Sequence, residues 1–107
     1  MPSTTSLRLT AIRLLREAET RRQLLPHSMR DSSRWLMLLA LFESEQPLSV
    51  SQLSLVARAT MTTTLRHIDD LEAGQLVKRD VFDFGRSPRV RLTERGQKMV
   101  AAYLDAL

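Results

Sequence analysis

The 107-residue chain has no cysteine, which excludes disulfides, zinc–thiolate sites and thiol redox chemistry. Its two histidines, His27 and His67, stand apart, with no cluster around them at zinc or iron spacing, so no metal centre is expected. The three glycines are isolated, so there is no glycine-rich loop to cradle a phosphate. Serines are numerous but form no G-x-S-x-G elbow. Asp69 and Asp70 are helix neighbours that point in different directions, a poor acid/base pair. The chain does not read as an enzyme, and no cofactor is expected. The longest apolar run, Trp35 to Phe42, is too short to span a bilayer. The N-terminus lacks the basic-then-apolar pattern of a secretory signal. A cytoplasmic protein with no membrane partner is the expectation.

What is present is positive charge, unevenly spread. The net charge is +4 and the pI about 10.6. Residues 1–30 carry six arginines against Glu17 and Glu19. Residues 76–107 carry Lys78, Arg79, Arg86, Arg89, Arg91, Arg95 and Lys98 against four acids, whereas 31–75 have Arg34, Arg58 and Arg66 against six. A basic surface attracts phosphates and speeds association with DNA. The length suits one domain with a modest core, a size that often gains stability by dimerising.

Apolar spacing divides the chain into helices and a hairpin. After a frayed tail, Leu7, Ala11, Ile12, Leu15 and Ala18 predict a helix from about Ser6 to Leu25, broadened by Leu9 and Leu14. Pro26-His27-Ser28 breaks it. Asp31 or Ser32 caps a second helix, apolar on most sides, that runs through Trp35, Leu38 and Phe42 to about Glu45 as the central core helix. Ser49-Val50-Ser51-Gln52 is a capping box that opens a short helix stopping near Arg58-Ala59. Thr60 caps the next, in which Leu65, Ile68 and Leu71 are expected to point inward and Gly74 to supply a positive-φ end. The period then turns to two, with Val77, Arg79 and Val81 on one strand and Arg89 to Leu92 on another. Asp83 to Pro88 form the turn of a two-stranded hairpin. Thr93 caps a last helix whose apolar stripe is Val100, Tyr103, Leu104 and Leu107. His67 is expected to be a packed residue. Met29, Met37, Met61 and Met99 read as core filler.

Two short helices at a sharp angle, the second with a polar outer face, form a helix-turn-helix, and a hairpin after them is a wing. Leu71-Glu72-Ala73-Gly74, then Leu76-Val77-Lys78-Arg79, then Arg86, then Val90-x-Leu92-Thr93-x-x-Gly96 follow in a distinctive order and spacing. With this element order, they resemble the MarR family of bacterial transcriptional regulators over roughly residues 31–105. Pro47 to Ser51 and Thr62 to Arg66 are similar to a short subgroup of such proteins. Three departures stand out. Asp83 and Arg86 are three apart rather than two, Phe82 and Phe84 replace the proline and charge usual in the wing, and Arg58 occupies a turn where glycine would relieve strain. Phe84 either folds back on the hairpin or marks a partner surface.

The resemblance implies a mainly α winged helix-turn-helix with a small β-hairpin. Residues 31–96 would be the DNA-binding domain, with 1–30 and 97–107 serving dimerisation. It further implies a sequence-specific transcriptional regulator that binds double-stranded DNA as a homodimer. Two-fold symmetry makes its site pseudo-palindromic, with half-sites about one helical turn apart. Thr60, Thr62, Thr63 and Arg66 would contact DNA, the last three at base edges and Thr60 at the cap of their helix. Ser49, Ser51 and Gln52 serve either phosphate binding or capping alone. Arg66 either reaches DNA or pairs with Asp69 or Asp70. Arg86 would enter the minor groove, while Arg89 and Arg91 follow the backbone. Leu7, Ile12, Leu15, Val100, Tyr103 and Leu107 are the expected dimer contacts. Family members often bind phenolic ligands between the dimer helices and the DNA-binding lobe. The terminal helices here look short, so a small-molecule effector stays open and no obligatory one is expected. The rival reading is a winged helix that binds protein through its wing and Phe84, since Asp69, Asp70 and Glu72 would repel phosphate if they faced it.

Overall fold

The computed structural model describes residues 3–25, 33–44, 46–80 and 88–106. Five helices and three short strands follow in the order α1 (Thr4–Leu24), α2 (Ser33–Glu43), β1 (Leu48–Ser49), α3 (Val50–Ala57), α4 (Met61–Ala73), β2 (Val77–Asp80), β3 (Arg89–Leu92) and α5 (Glu94–Asp105). Met1, Pro2, Pro26 to Ser32, Glu45, Val81 to Ser87 and Leu107 lie outside the described residues. The expectations for Arg86, Phe82, Phe84, Asp83, His27, Met29 and Leu107 fall there.

The core forms where the helical and strand periods meet. α2 is central: Trp35, Met37, Leu38 and Leu41 are buried against Val50, Leu53 and Ala57 of α3, Ile68 and Leu71 of α4, and Val77 and Val90 of the sheet. Trp35 meets Tyr103 of α5 edge-on, with ring centroids 4.5 Å apart, a favourable aromatic geometry. The hairpin gains a third strand that alternation could not reveal in two residues. β1 pairs antiparallel with β3, Leu48 opposite Val90 and Ser49 opposite Arg89, giving the order β1-β3-β2.

Side-chain caps start four of the helices, beginning with Ser3, which accepts from the Ser6 N–H at α1. Ser49 and Gln52 complete the capping box of α3, Thr60 accepts from the Thr63 N–H, and Thr93 accepts from the Gly96 N–H. Helix ends differ from expectation. Gly74 has φ −79°, and the left-handed residue is Gln75, at φ 62°. The Leu76 N–H bonds the Leu71 carbonyl and the Gln75 N–H bonds that of Glu72, so the helix ends in a Schellman motif one residue later than the glycine suggests. α3 ends in the same way on Arg58, at φ 52°. Left-handed backbone costs a residue with a Cβ about 1 kcal/mol. Arg58→Gly is therefore expected to stabilise the fold by roughly 0.5–1 kcal/mol, read as a higher urea midpoint at unchanged slope.

Thr93 ties three elements together. Its N–H bonds the Leu76 carbonyl at 3.0 Å and its hydroxyl donates to the Gln75 carbonyl at 2.6 Å. Gly96, one turn on, packs so closely that an added Cβ would lie 2.2 Å from the Leu76 oxygen. The Leu-Thr-x-x-Gly pattern is thus a lock between the end of α4, the end of β3 and the start of α5.

Candidate nucleic-acid interface

α3 and α4 meet through the Arg58 turn, and α4 buries Thr64, Ile68 and Leu71. Leu65, expected inside, is 40% exposed, while Thr64 takes the core position at 0%. Both phases of the helix share Ile68 and Leu71, and packing against α2 and α3 decides between them. The outer face carries Met61, Thr62, Leu65, Arg66, Asp69 and Asp70, with Thr63 half-buried. Met61 is thus not core filler, whereas Met37 is buried and Met99 packs against the core.

The acids of α4 are compensated from elsewhere. Arg34 of α2 pairs with Asp70 at 2.6 Å. Arg79 of β2 bonds Asp69 and also Glu72, the latter at 3.2 Å, contacts that hold its guanidinium firmly charged. The alternative pairing of Arg66 with Asp69 or Asp70 meets competition: both carboxylates are engaged by Arg79 and Arg34. Register explains the sheet. Val77 and Arg79 stand opposite Leu92 and Val90 on one face, and Lys78 and Asp80 stand opposite Arg91 and Arg89 on the other. That second face carries three cations and one acid. Asp80 is held by Arg91 at 2.6 Å, so Arg91 is an ion-pair partner as well as an exposed cation. Arg89 stands opposite Ser49, at the N-terminus of α3.

Ser49, Gln52 and Thr60 are occupied as caps. Gln52 Oε1 accepts the Ser49 N–H at 2.8 Å, and Thr60 Oγ1 accepts the Thr63 N–H at 3.1 Å. Ser51 is exposed in the first turn of α3. On the other side of α4, His67 Nδ1 accepts from Arg34 Nε at 3.1 Å, leaving the ring proton on Nε2 to reach Ser33 Oγ at 3.2 Å. Burial, with the neighbouring Arg34 charge, lowers the His67 pKa below its ordinary 6.5. Its unfolded form then takes up protons first, so stability is full above that pH and falls as pH drops below it. Urea denaturation at about pH 7.5 and about pH 5.5 should show the loss, reduced in His67→Gln. Sequence reasoning missed this cluster because Ser33 and Arg34 lie more than thirty residues away in the chain.

The dimer expectation divides. Val100 and Tyr103 are 0% and 2% exposed within the protomer and have no surface left for a partner: burial in the core displaces them from that role. Tyr103 also donates to Glu17 of α1, and burial with this bond pushes its pKa up to about 12. Leu7, Leu9, Ile12, Leu14 and Leu15 of α1 are exposed, Leu15 by 72%. Among the described residues no three His, Asp or Glu side chains converge as a metal site, and no helix is long and apolar enough to cross a membrane.

A helix-turn-helix followed by a hairpin and closed by a returning helix defines the winged-helix class. Within that class the arrangement is MarR-like: solved structures share it over most of the chain, a MarR family transcriptional regulator among them. RV1404 from Mycobacterium tuberculosis superposes with a TM-score of 0.78 at 23% identity, over 99% of this chain and 75% of that one. A MarR family transcriptional regulator from Silicibacter pomeroyi gives a TM-score of 0.67 at 26% identity, over 91% and 64%. MepR of Staphylococcus aureus, in a complex with DNA, gives 0.71 at 20% identity, over 94% and 80%. No protein-family model matches the sequence, and no curated protein does.

Proposed function

We propose that the chain is a sequence-specific, DNA-binding transcriptional regulator of the MarR type that acts as a homodimer. α4 enters the major groove with Thr62, Thr63 and Arg66 at base edges. Lys78, Arg89 and Arg91 follow the backbone, and the first turn of α3 at Ser51 offers N–H groups to a phosphate. The observation that carries this reading is the charge arrangement on α4. Asp69, Asp70 and Glu72 would oppose phosphate, and arginines from α2 and β2 occupy all three. Arg66 stays on the outer face while its acidic neighbours are compensated. The exposed leucines of α1 support pairing, because hydrated apolar surface of that kind is stabilised by burial against a second copy. The likeness to a regulator solved with DNA agrees with the reading.

Exposed Leu55, at 79%, beside Val56 on α3 favours a second reading, a module that binds protein. DNA-fragment selection with the purified protein at near-physiological salt, read by sequencing, separates the two. The expected result is an enriched inverted repeat whose affinity falls steeply with salt, by a slope of about 0.9 in log–log terms per phosphate neutralised. Salt-sensitive retention without enrichment would reduce the function to nonspecific binding. No retention would leave the protein-binding module.

A further inference from the structure

We propose that Leu65, flanked one turn earlier by Met61, reads the C5-methyl group of a thymine in each half-site. The proposal rests on the DNA-binding reading above and adds to it the chemistry of one contact. Thr64 and Leu65 stand in the reverse of the order that folding alone favours. The threonine is fully buried and its hydroxyl has no protein partner, while the larger, wholly apolar neighbour faces outward. A position that breaks a local rule without gain to the fold points to a role in binding. Met61 and Leu65 lie four residues apart, as do Thr62 and Arg66, so an apolar and a polar row run side by side along the exposed surface of α4.

The chemistry of that pair of rows selects the target. In the major groove the thymine methyl is the apolar group a base pair presents, beside acceptors that suit an arginine. A protein partner would call for a broader apolar centre, whereas Leu65 is bordered by Thr62 and Arg66 and by acids already held by Arg34 and Arg79.

The test replaces the thymines of the selected operator one at a time by deoxyuridine, which removes the methyl and nothing else. Binding of each duplex is measured by fluorescence anisotropy for the wild-type protein and for Leu65→Ala, an exposed helical position where alanine preserves folding. One thymine per half-site is expected to weaken binding about fourfold, the factor that burial of one methyl group is worth, and Leu65→Ala is expected to be indifferent to the same exchange. Indifference of the wild-type protein to every thymine overturns the proposal and leaves the DNA-binding reading standing. A deoxyuridine penalty that persists undiminished in Leu65→Ala also overturns it. Failure of any sequence to be enriched overturns both.

Discussion

Gly96→Ala is expected to lower folding stability by about 3 kcal/mol, a large share of the 5–15 kcal/mol typical of a domain. The new methyl would meet the Leu76 carbonyl oxygen at 2.2 Å, with its carbon at 3.1 Å and Leu92 Cδ2 at 3.2 Å behind it. Backbone cannot swing aside as the end of a flexible side chain can. Relief would require α5 to lift away from the α4–β2 turn, losing the Thr93 N–H bond to the same carbonyl. Gly74→Ala is the matched control. Its added Cβ would have 3.6 Å to the nearest atom, and φ −79° suits any residue, so a stabilisation of about 0.4–1 kcal/mol is expected there. Urea denaturation of both variants at constant slope checks the pair. Equal midpoints for the two would show that the packing of α5 on the turn is wrong.

Arg66→Ala is expected to weaken operator binding by roughly 5- to 150-fold, the range of one bidentate arginine–guanine contact, and to relax preference at one position of the half-site. Because the side chain is exposed, thermal stability should stay within about 0.5 kcal/mol of wild type. Anisotropy titrations against the selected operator and its single-base variants distinguish base reading from phosphate binding. Uniform weakening across all variants, with a shallower salt slope, would assign Arg66 to the backbone instead.

Most of the architecture was legible because it is written in local patterns. Capping at Ser49, Thr60 and Thr93 involves residues three apart, and the helical and strand periods mark the elements to within a few residues. Features that depend on how the elements pack together were not legible. Which of Thr64 and Leu65 faces inward depends on how α4 rolls against α2 and α3, and both choices keep Ile68 and Leu71 buried. The ties of Arg34 to Asp70 and of Arg79 to Asp69 and Glu72 join elements that periodicity treats separately. Val100 and Tyr103 have the helical spacing of an interface, but the same stripe serves the protomer's own core through Trp35 and Glu17. An apolar stripe states that something covers it and leaves open whether the cover is the same chain or another.

α5 touches both ends of the molecule's organisation: Tyr103 holds Glu17 of α1, and Thr93 and Gly96 grip the turn that closes α4. The start of α5 is locked by the two hydrogen bonds of Thr93 and by packing that leaves no room for a Cβ at Gly96. The Gln75 end of α4 is thus joined through α5 to α1, whereas the Thr60 half rests on α2 and α3 through Thr64 and Ile68.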